Sequence, residues 1–123
     1  YAIISAPNAI EASTLKPDRD CKFMGVGGNV FDIQNRPATG ILVQMGGYLK
    51  GETLLEYSLT GTVLHYGPAG YEFTLADKPI ATRKALWIRL VDQAKQPISE
   101  KVVFDTYDDC ARNLILVNFK QIK

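Results

Sequence analysis

From Val26 onward the chain alternates apolar and polar residues with a period of two, in short runs cut by turn-forming clusters. Ile41, Val43 and Met45 share one face, with Leu42 and Gln44 between them. Tyr71, Phe73 and Leu75 alternate with Glu72 and Thr74, and Leu86, Ile88 and Leu90 alternate with Trp87 and Arg89. Near the end, Ile115, Val117 and Phe119 alternate with Leu114, Leu116 and Asn118, the mark of a strand buried on both faces. Breakers separate these runs: Asn35-Arg36-Pro37, Gly46-Gly47, Gly67-Pro68-Ala69-Gly70, Asp77-Lys78-Pro79 and the stretch from Gln93 to Pro97. Nothing after Gly25 has the period of a helix of ordinary length. The pattern predicts an all-β fold, a seven-stranded antiparallel β-sandwich.

At 123 residues the chain is one domain in length. Residues 21–123 are expected to form the sandwich. Residues 1–20, with Pro7, Asn8, Ser13, Thr14 and Pro17 and no sustained period, are expected to be a linker or N-terminal extension that docks only near its end. The start at Tyr1, without a basic-then-apolar leader, suggests a processed or excised piece. No internal repeat stands out. Fourteen Lys and Arg against thirteen Asp and Glu leave a formal charge of +1, without a basic stripe, so nucleic acid is not an expected partner. No apolar run approaches the roughly 18 residues of a membrane span, so no membrane insertion is expected within this segment.

One segment carries more than a period. Val30-Phe31-Asp32-Ile33-Gln34-Asn35-Arg36-Pro37-Ala38-Thr39-Gly40-Ile41-Leu42-Val43 resembles the opening hairpin of carboxypeptidase regulatory-like domains, within the wider prealbumin-like (transthyretin-like) group. In that pattern Asp32 accepts bonds from turn amides, position 35 needs a left-handed residue, Pro37 sets φ, and Gly40 opens the return strand. Asn35 stands where the family has Gly, and it is the next most tolerant residue there. Gly70-Tyr71-Glu72-Phe73 is a looser echo of the family's later strand start, with the aromatics off by one. The resemblance implies a seven-stranded sandwich and a non-catalytic accessory module on a secreted or cell-envelope protein. It carries over no active-site residue.

The two cysteines, Cys21 and Cys110, are too few for a zinc site with the single His65. They are either one long-range disulfide or two buried thiols. Their places at element boundaries beside Asp18-Arg19-Asp20 and Asp108-Asp109 favour the disulfide, and with it an oxidising compartment. Such a bond would carry Asp18 and Asp20 toward Asp105, Asp108 and Asp109. That acidic end is either balanced by Arg19, Lys22 and Arg112 or a weak candidate for calcium, which takes six to eight oxygens.

Enzyme signatures are missing: no Gly-x-Ser-x-Gly elbow, no His-Glu-x-x-His, and His65 reads as a partly exposed strand-end residue. The Gly25-Val26-Gly27-Gly28 cluster lacks the following helix of a phosphate loop and reads as close backbone approach or a bulge at a sheet edge. Trp87 is expected in the core, since a sandwich favours one buried Trp, with a ligand platform at Trp87 or Tyr66 as the alternative. Tyr48, Tyr57, Tyr66 and Tyr107 read as rim or loop residues. The expected function is a non-enzymatic, cofactor-free and monomeric module with a structural or adhesion role and a protein or glycan partner. A small-ligand or carbohydrate-binding module is the alternative, and a transthyretin-like oligomer is third.

Overall fold

The computed structural model covers Tyr1–Lys123. Ten strands follow one another: β1 (Ala2–Ile3), β2 (Asn8–Ile10), β3 (Met24–Phe31), β4 (Leu42–Leu49), β5 (Glu52–Leu59), β6 (Gly70–Ala76), β7 (Thr82–Val91), β8 (Val102–Thr106), β9 (Leu114–Leu116) and β10 (Phe119–Lys120). Single 3-10 turns at Ala12–Thr14, Leu64–Tyr66 and Cys110–Arg112 are the only helical pieces. The strands form two sheets, so the all-β, sandwich-like architecture is as expected.

The first sheet runs β5-β4-β7-β8, antiparallel throughout. The second departs from the expectation. β3 pairs antiparallel with β6 on one side and parallel with β9 and β10 on the other. β9 and β10 share one register along β3, with Gly27 opposite Leu116 and Val30 opposite Phe119. β2 and β1 then line the far side of β9 and β10, antiparallel. The seven antiparallel strands are therefore corrected to ten in a mixed arrangement. Alternation reports which face a residue occupies and carries no information about strand direction.

Two local causes account for the extra strands. Segment Leu114–Lys120 is one strand direction interrupted at Val117 and Asn118. There a Cβ on Gly28 would meet the Val117 carbonyl oxygen at 2.0 Å, and Asn118 Oδ1 accepts the Asn29 N–H at 2.8 Å in place of a backbone ladder bond. The N-terminal residues supply the rest: within the stretch expected to be a linker or N-terminal extension, β1 and β2 are edge strands and Ala12 is buried.

Thirteen buried residues make the core between the sheets: Val26, Val30, Val43, Met45, Tyr71, Phe73, Leu86, Ile88, Leu90, Phe104, Ile115, Val117 and Phe119. Each large side chain here contributes about 1.5–3 kcal/mol of burial. Tyr71 enters fully because its hydroxyl donates to the Val117 carbonyl at 2.6 Å, and burial pushes its ionisation up. A second cluster, Ala12, Phe23 and Leu114, covers the outer face of the mixed sheet. Leu114 and Ile115 are thus buried on opposite faces of one strand, as the sequence implied.

Cys21 and Cys110 form a disulfide with Cα atoms 5.1 Å apart and 89 residues between them in sequence. That offset is the one that pairs Gly25 with Leu114 and Val26 with Ile115, so the bridge extends the parallel register of β3 and β9 beyond their first residues. It lies at the surface, with both cysteines exposed.

The Asp32 and Asp92 turns are copies of each other. The Asp32 N–H donates to the Arg36 carbonyl and that of Asp92 to the Gln96 carbonyl, both at 2.8 Å. Asp32 Oδ1 takes the amides of Gln34 and Arg36, and Asp92 Oδ1 those of Ala94 and Gln96. Asn35 and Lys95 both sit at φ 64°, and Phe31 bridges Pro37 as Val91 bridges Pro97. Their destinations differ. β7 and β8 pair as a hairpin, whereas β3 and β4 lie in different sheets, so the expected opening hairpin is a crossover between sheets. Gly40 at φ 77° stands in the crossover where the hairpin has Glu100.

Closing a loop of 89 residues removes denatured-state freedom worth roughly 4–5 kcal/mol. Replacing both cysteines with serine is expected to lower the unfolding free energy in urea by about 2–5 kcal/mol, and reductant should reproduce the shift in the native chain. Acid should act on the turns. The Arg36 backbone amide holds the Asp32 carboxyl below its ordinary range, and the Ala111 amide does the same for Asp109. A depressed carboxylate stabilises the fold above its unfolded pKa of about 3.9, and this is lost as pH falls through the lower, folded value. Thermal midpoints should therefore drop on acidification below about pH 4, and less steeply in an Asp32→Asn, Asp109→Asn double variant.

Candidate functional site

Gly46 and Gly47, which read as a turn, lie inside β4. Gly46 pairs with Trp87 on β7 and Leu55 on β5, and a Cβ on it would stand 2.4 Å from the indole Cζ2. The missing side chain is the seat of the indole ring, a use of glycine that marks close approach within a strand. Trp87 therefore points outward while Leu86, Ile88 and Leu90 fill the core from the same strand. The expectation of a core Trp is corrected. Period two sorts Trp87 from its neighbours without saying which set is inside, and three aliphatic side chains bury more area than one ring beside Arg89.

The half-buried ring is the centre of a face with exposed apolar neighbours. Trp87 pairs with Val103 on β8, so Leu55, Gly46, Trp87 and Val103 form one row across four strands. Leu55 is 58% exposed, Val103 53%, Tyr48 61% and Leu59 45%, against a handful of large apolar residues exposed elsewhere. Such a contiguous patch on a small domain marks an interaction surface more often than scattered single residues do.

The next row along the strands is polar and ordered. Arg89 Nε donates to Gln44 Oε1 at 2.6 Å, and Gln44 Nε2 donates to Tyr57 Oη at 2.9 Å. Gln44 is only 6% exposed, so both ends of a buried amide are satisfied by this chain of bonds. The Arg89 guanidinium carbon is 5.2 Å and Lys101 Nζ 4.3 Å from the indole centroid, and Lys95 Nζ is 4.6 Å from the Tyr57 ring. None of these cations is in an ion pair, because the close pairs lie elsewhere: Arg19–Glu72, Arg36–Asp32, His65–Glu72 and Arg112–Asp109.

Tyr66 belongs to a different place. It sits in a 3-10 turn on the outer face of the mixed sheet, its ring over Gly27, where a Cβ would come within 2.4 Å. Its hydroxyl donates to Glu72 Oε1 at 3.2 Å, and burial and the Glu72 charge push its ionisation up. Arg19 forks onto Glu72 at 2.6 and 3.2 Å, and His65 Nε2 stands 4.0 Å away. Trp87 and Tyr66 thus lie on opposite outer faces and form no common platform. Gly25 and Gly28 complete the use of the glycine cluster, admitting Phe23 and the Val117 carbonyl. Close approach is as expected, although β3 is central in its sheet and not at an edge.

The five aspartates considered for calcium do not converge. Asp20 Oδ1 takes the Lys22 amide, Asp105 Oδ1 the Lys84 amide, and Asp109 the Ala111 amide and Arg112 Nε. With Asp18 and Asp108 included, no group of three or more acidic, His or Cys side chains stands close enough to hold a metal ion, so the weaker calcium alternative gains no support from the arrangement. Asp20 and Asp109 serve their own loops and Asp105 caps the irregular stretch of the neighbouring β7, which is cheaper than crowding charge around a shared ion.

No family model matches the chain, and no curated protein or solved structure matches it. No helix is long and apolar enough to cross a membrane.

Sequence reasoning missed Gln44, Leu55, Arg89, Lys101 and Val103 as members of one face. The pairing of Gly46 with the single Trp was the available signal, and it needs the strand register to be seen. Gly→Ala inside a strand ordinarily gains about 0.5–1 kcal/mol. Gly46→Ala should instead cost about 1–3 kcal/mol in urea unfolding and shift the emission of Trp87, because the ring must leave its seat.

Proposed function

We propose that this chain is a non-catalytic binding module of a secreted or cell-envelope protein, and that its binding surface is the outer face of β5-β4-β7-β8. The observation that carries this reading is the row in which exposed Leu55 and Val103 flank the half-buried Trp87, with Tyr48 beside it, on a sheet whose other face packs Val43, Met45, Leu86, Ile88 and Leu90 into the core. Interfaces concentrate their energy in Trp, Tyr and Arg set among apolar neighbours, which is the composition found here. The likeness of Val30–Val43 to carboxypeptidase regulatory-like domains supports an accessory role. The surface disulfide supports an oxidising, extracytoplasmic setting. The same face disfavours pairing with its own copy, since Arg89, Lys95 and Lys101 would meet like charges. The working state is a monomer that engages a different partner.

An apolar dye such as bis-ANS reads the face without a known partner. The native chain should bind it, and Leu55→Ser with Val103→Ser should remove most of that binding. Both side chains are exposed, so stability should stay within about 0.5 kcal/mol. A native chain that ignores the dye, or a double variant that binds it unchanged, would show that this face is not the binding surface.

A further inference from the structure

Arg89 is held in a fixed direction with donors to spare. Its Nε is committed to Gln44, which is itself anchored on Tyr57, and its two terminal nitrogens have no acceptor in the chain. A guanidinium so placed offers a rigid fork that matches the two oxygens of a carboxylate. Lys101 and Lys95 flank it, each over an aromatic ring and neither paired with an acid. The outward residues of the paired strands contribute no acid to β4, β5 or β7: Leu42, Gln44, Gly46 and Tyr48, then Thr53, Leu55, Tyr57 and Leu59, then Trp87 and Arg89. Glu100 and Asp105 lie at the β8 margin, and the Asp105 carboxylate is occupied by the Lys84 amide.

The face therefore joins flat aromatic planes to three uncompensated cations. A ligand that fits both must present C–H faces and carboxylates on the same unit. The geometry points to an acidic glycan, a chain of uronate sugars, as the occupant of this face. Sugar C–H faces lie on Trp87 and Tyr57, one carboxylate takes the Arg89 fork, and Lys101 and Lys95 swing off the two rings to meet others. Tyr57 and Trp87 stand on strands two spacings apart, roughly 10 Å, so more than one sugar ring is engaged. An acidic peptide fits less well, because an added strand would join at the free edge of β5 or β8, whereas Trp87 and Arg89 stand on the face of the inner strand β7. This inference rests on the reading of the face as the binding surface, and it adds the partner's chemistry.

The full chain is its own reporter, since Trp87 is the only tryptophan. Titration with an oligogalacturonate of defined length at low salt should change its emission saturably. Arg89→Gln should weaken binding about tenfold or more, as loss of a charge-assisted contact implies, and Lys101→Gln should weaken it in the same direction. Lys22→Gln, on the other sheet's end, should bind as the native chain does. Binding should fade as added salt shortens the Debye length from ~30 to ~8 Å. Lys101 is exposed, so its variant decides the matter should Arg89→Gln fail to fold. Three results would overturn the inference: no saturable response to oligogalacturonate, an equal response to a neutral galacto-oligosaccharide, or a Lys22→Gln variant weakened as much as Arg89→Gln. Poly-glutamate binding at least as tightly, with the same Arg89 dependence, would also overturn it by assigning the face to an acidic protein. In each case bis-ANS binding lost on Leu55→Ser and Val103→Ser would still uphold the face itself.

Discussion

The parallel pairing of β3 with the last strand of the chain, at an offset of 89 residues, is the constraint on which the other contacts depend. It places the C-terminal segment in the middle of its sheet, where Ile115, Val117 and Phe119 reach the core, and leaves its far side open for β2 and β1. Pairings of such sequence separation form only after a large loss of chain freedom. The Cys21–Cys110 bond holds the same register from outside the strands, so one covalent link and one hydrogen-bonded ladder enforce a single alignment. Asn113 reinforces that corner, with its side chain bonded to the Ala12 amide and to the Asp20 and Phe23 carbonyls.

The two sheets treat their outer faces differently, and glycine makes the difference. On the mixed sheet, Gly25 and Gly27 leave room for Phe23 and Tyr66, and the chain lays its own segments over that face. Glu72 is drawn under them and held by Arg19 and Tyr66. On the antiparallel sheet, Gly46 seats the Trp87 ring, which is half-buried with only the Lys101 and Arg89 side chains beside its face. One outer face is closed by the protein itself. The other is left with rings, aliphatic side chains and unpaired cations turned to solvent, and the proposed function follows from that contrast.

The Asp32 and Asp92 turns show how far local chemistry reaches. The same carboxylate caps the same amides, with a residue at φ 64° in each, yet one turn closes a hairpin and the other carries the chain to the opposite sheet. Asp, the left-handed residue and Pro determine the shape of the turn. Where the next strand docks is determined beyond it, by Gly40 and by which apolar row can be buried.

Residue order alone determined the all-β class, the alternating rows of β4, β6 and β7 and the double-sided burial of Leu114 to Phe119, and it favoured the cysteine pairing without deciding it. These are legible because alternation, turn residues and boundary position act within a few residues of one another. Tertiary structure decided strand direction, the recruitment of residues 2–10 as edge strands, and the outward side of Trp87. It also kept the five aspartates apart and Tyr66 on the opposite face. Each of these depends on which distant strand becomes a neighbour. A period of two is the same whether a strand runs up or down, and whether its apolar row faces the core or the solvent, until the second sheet is in place.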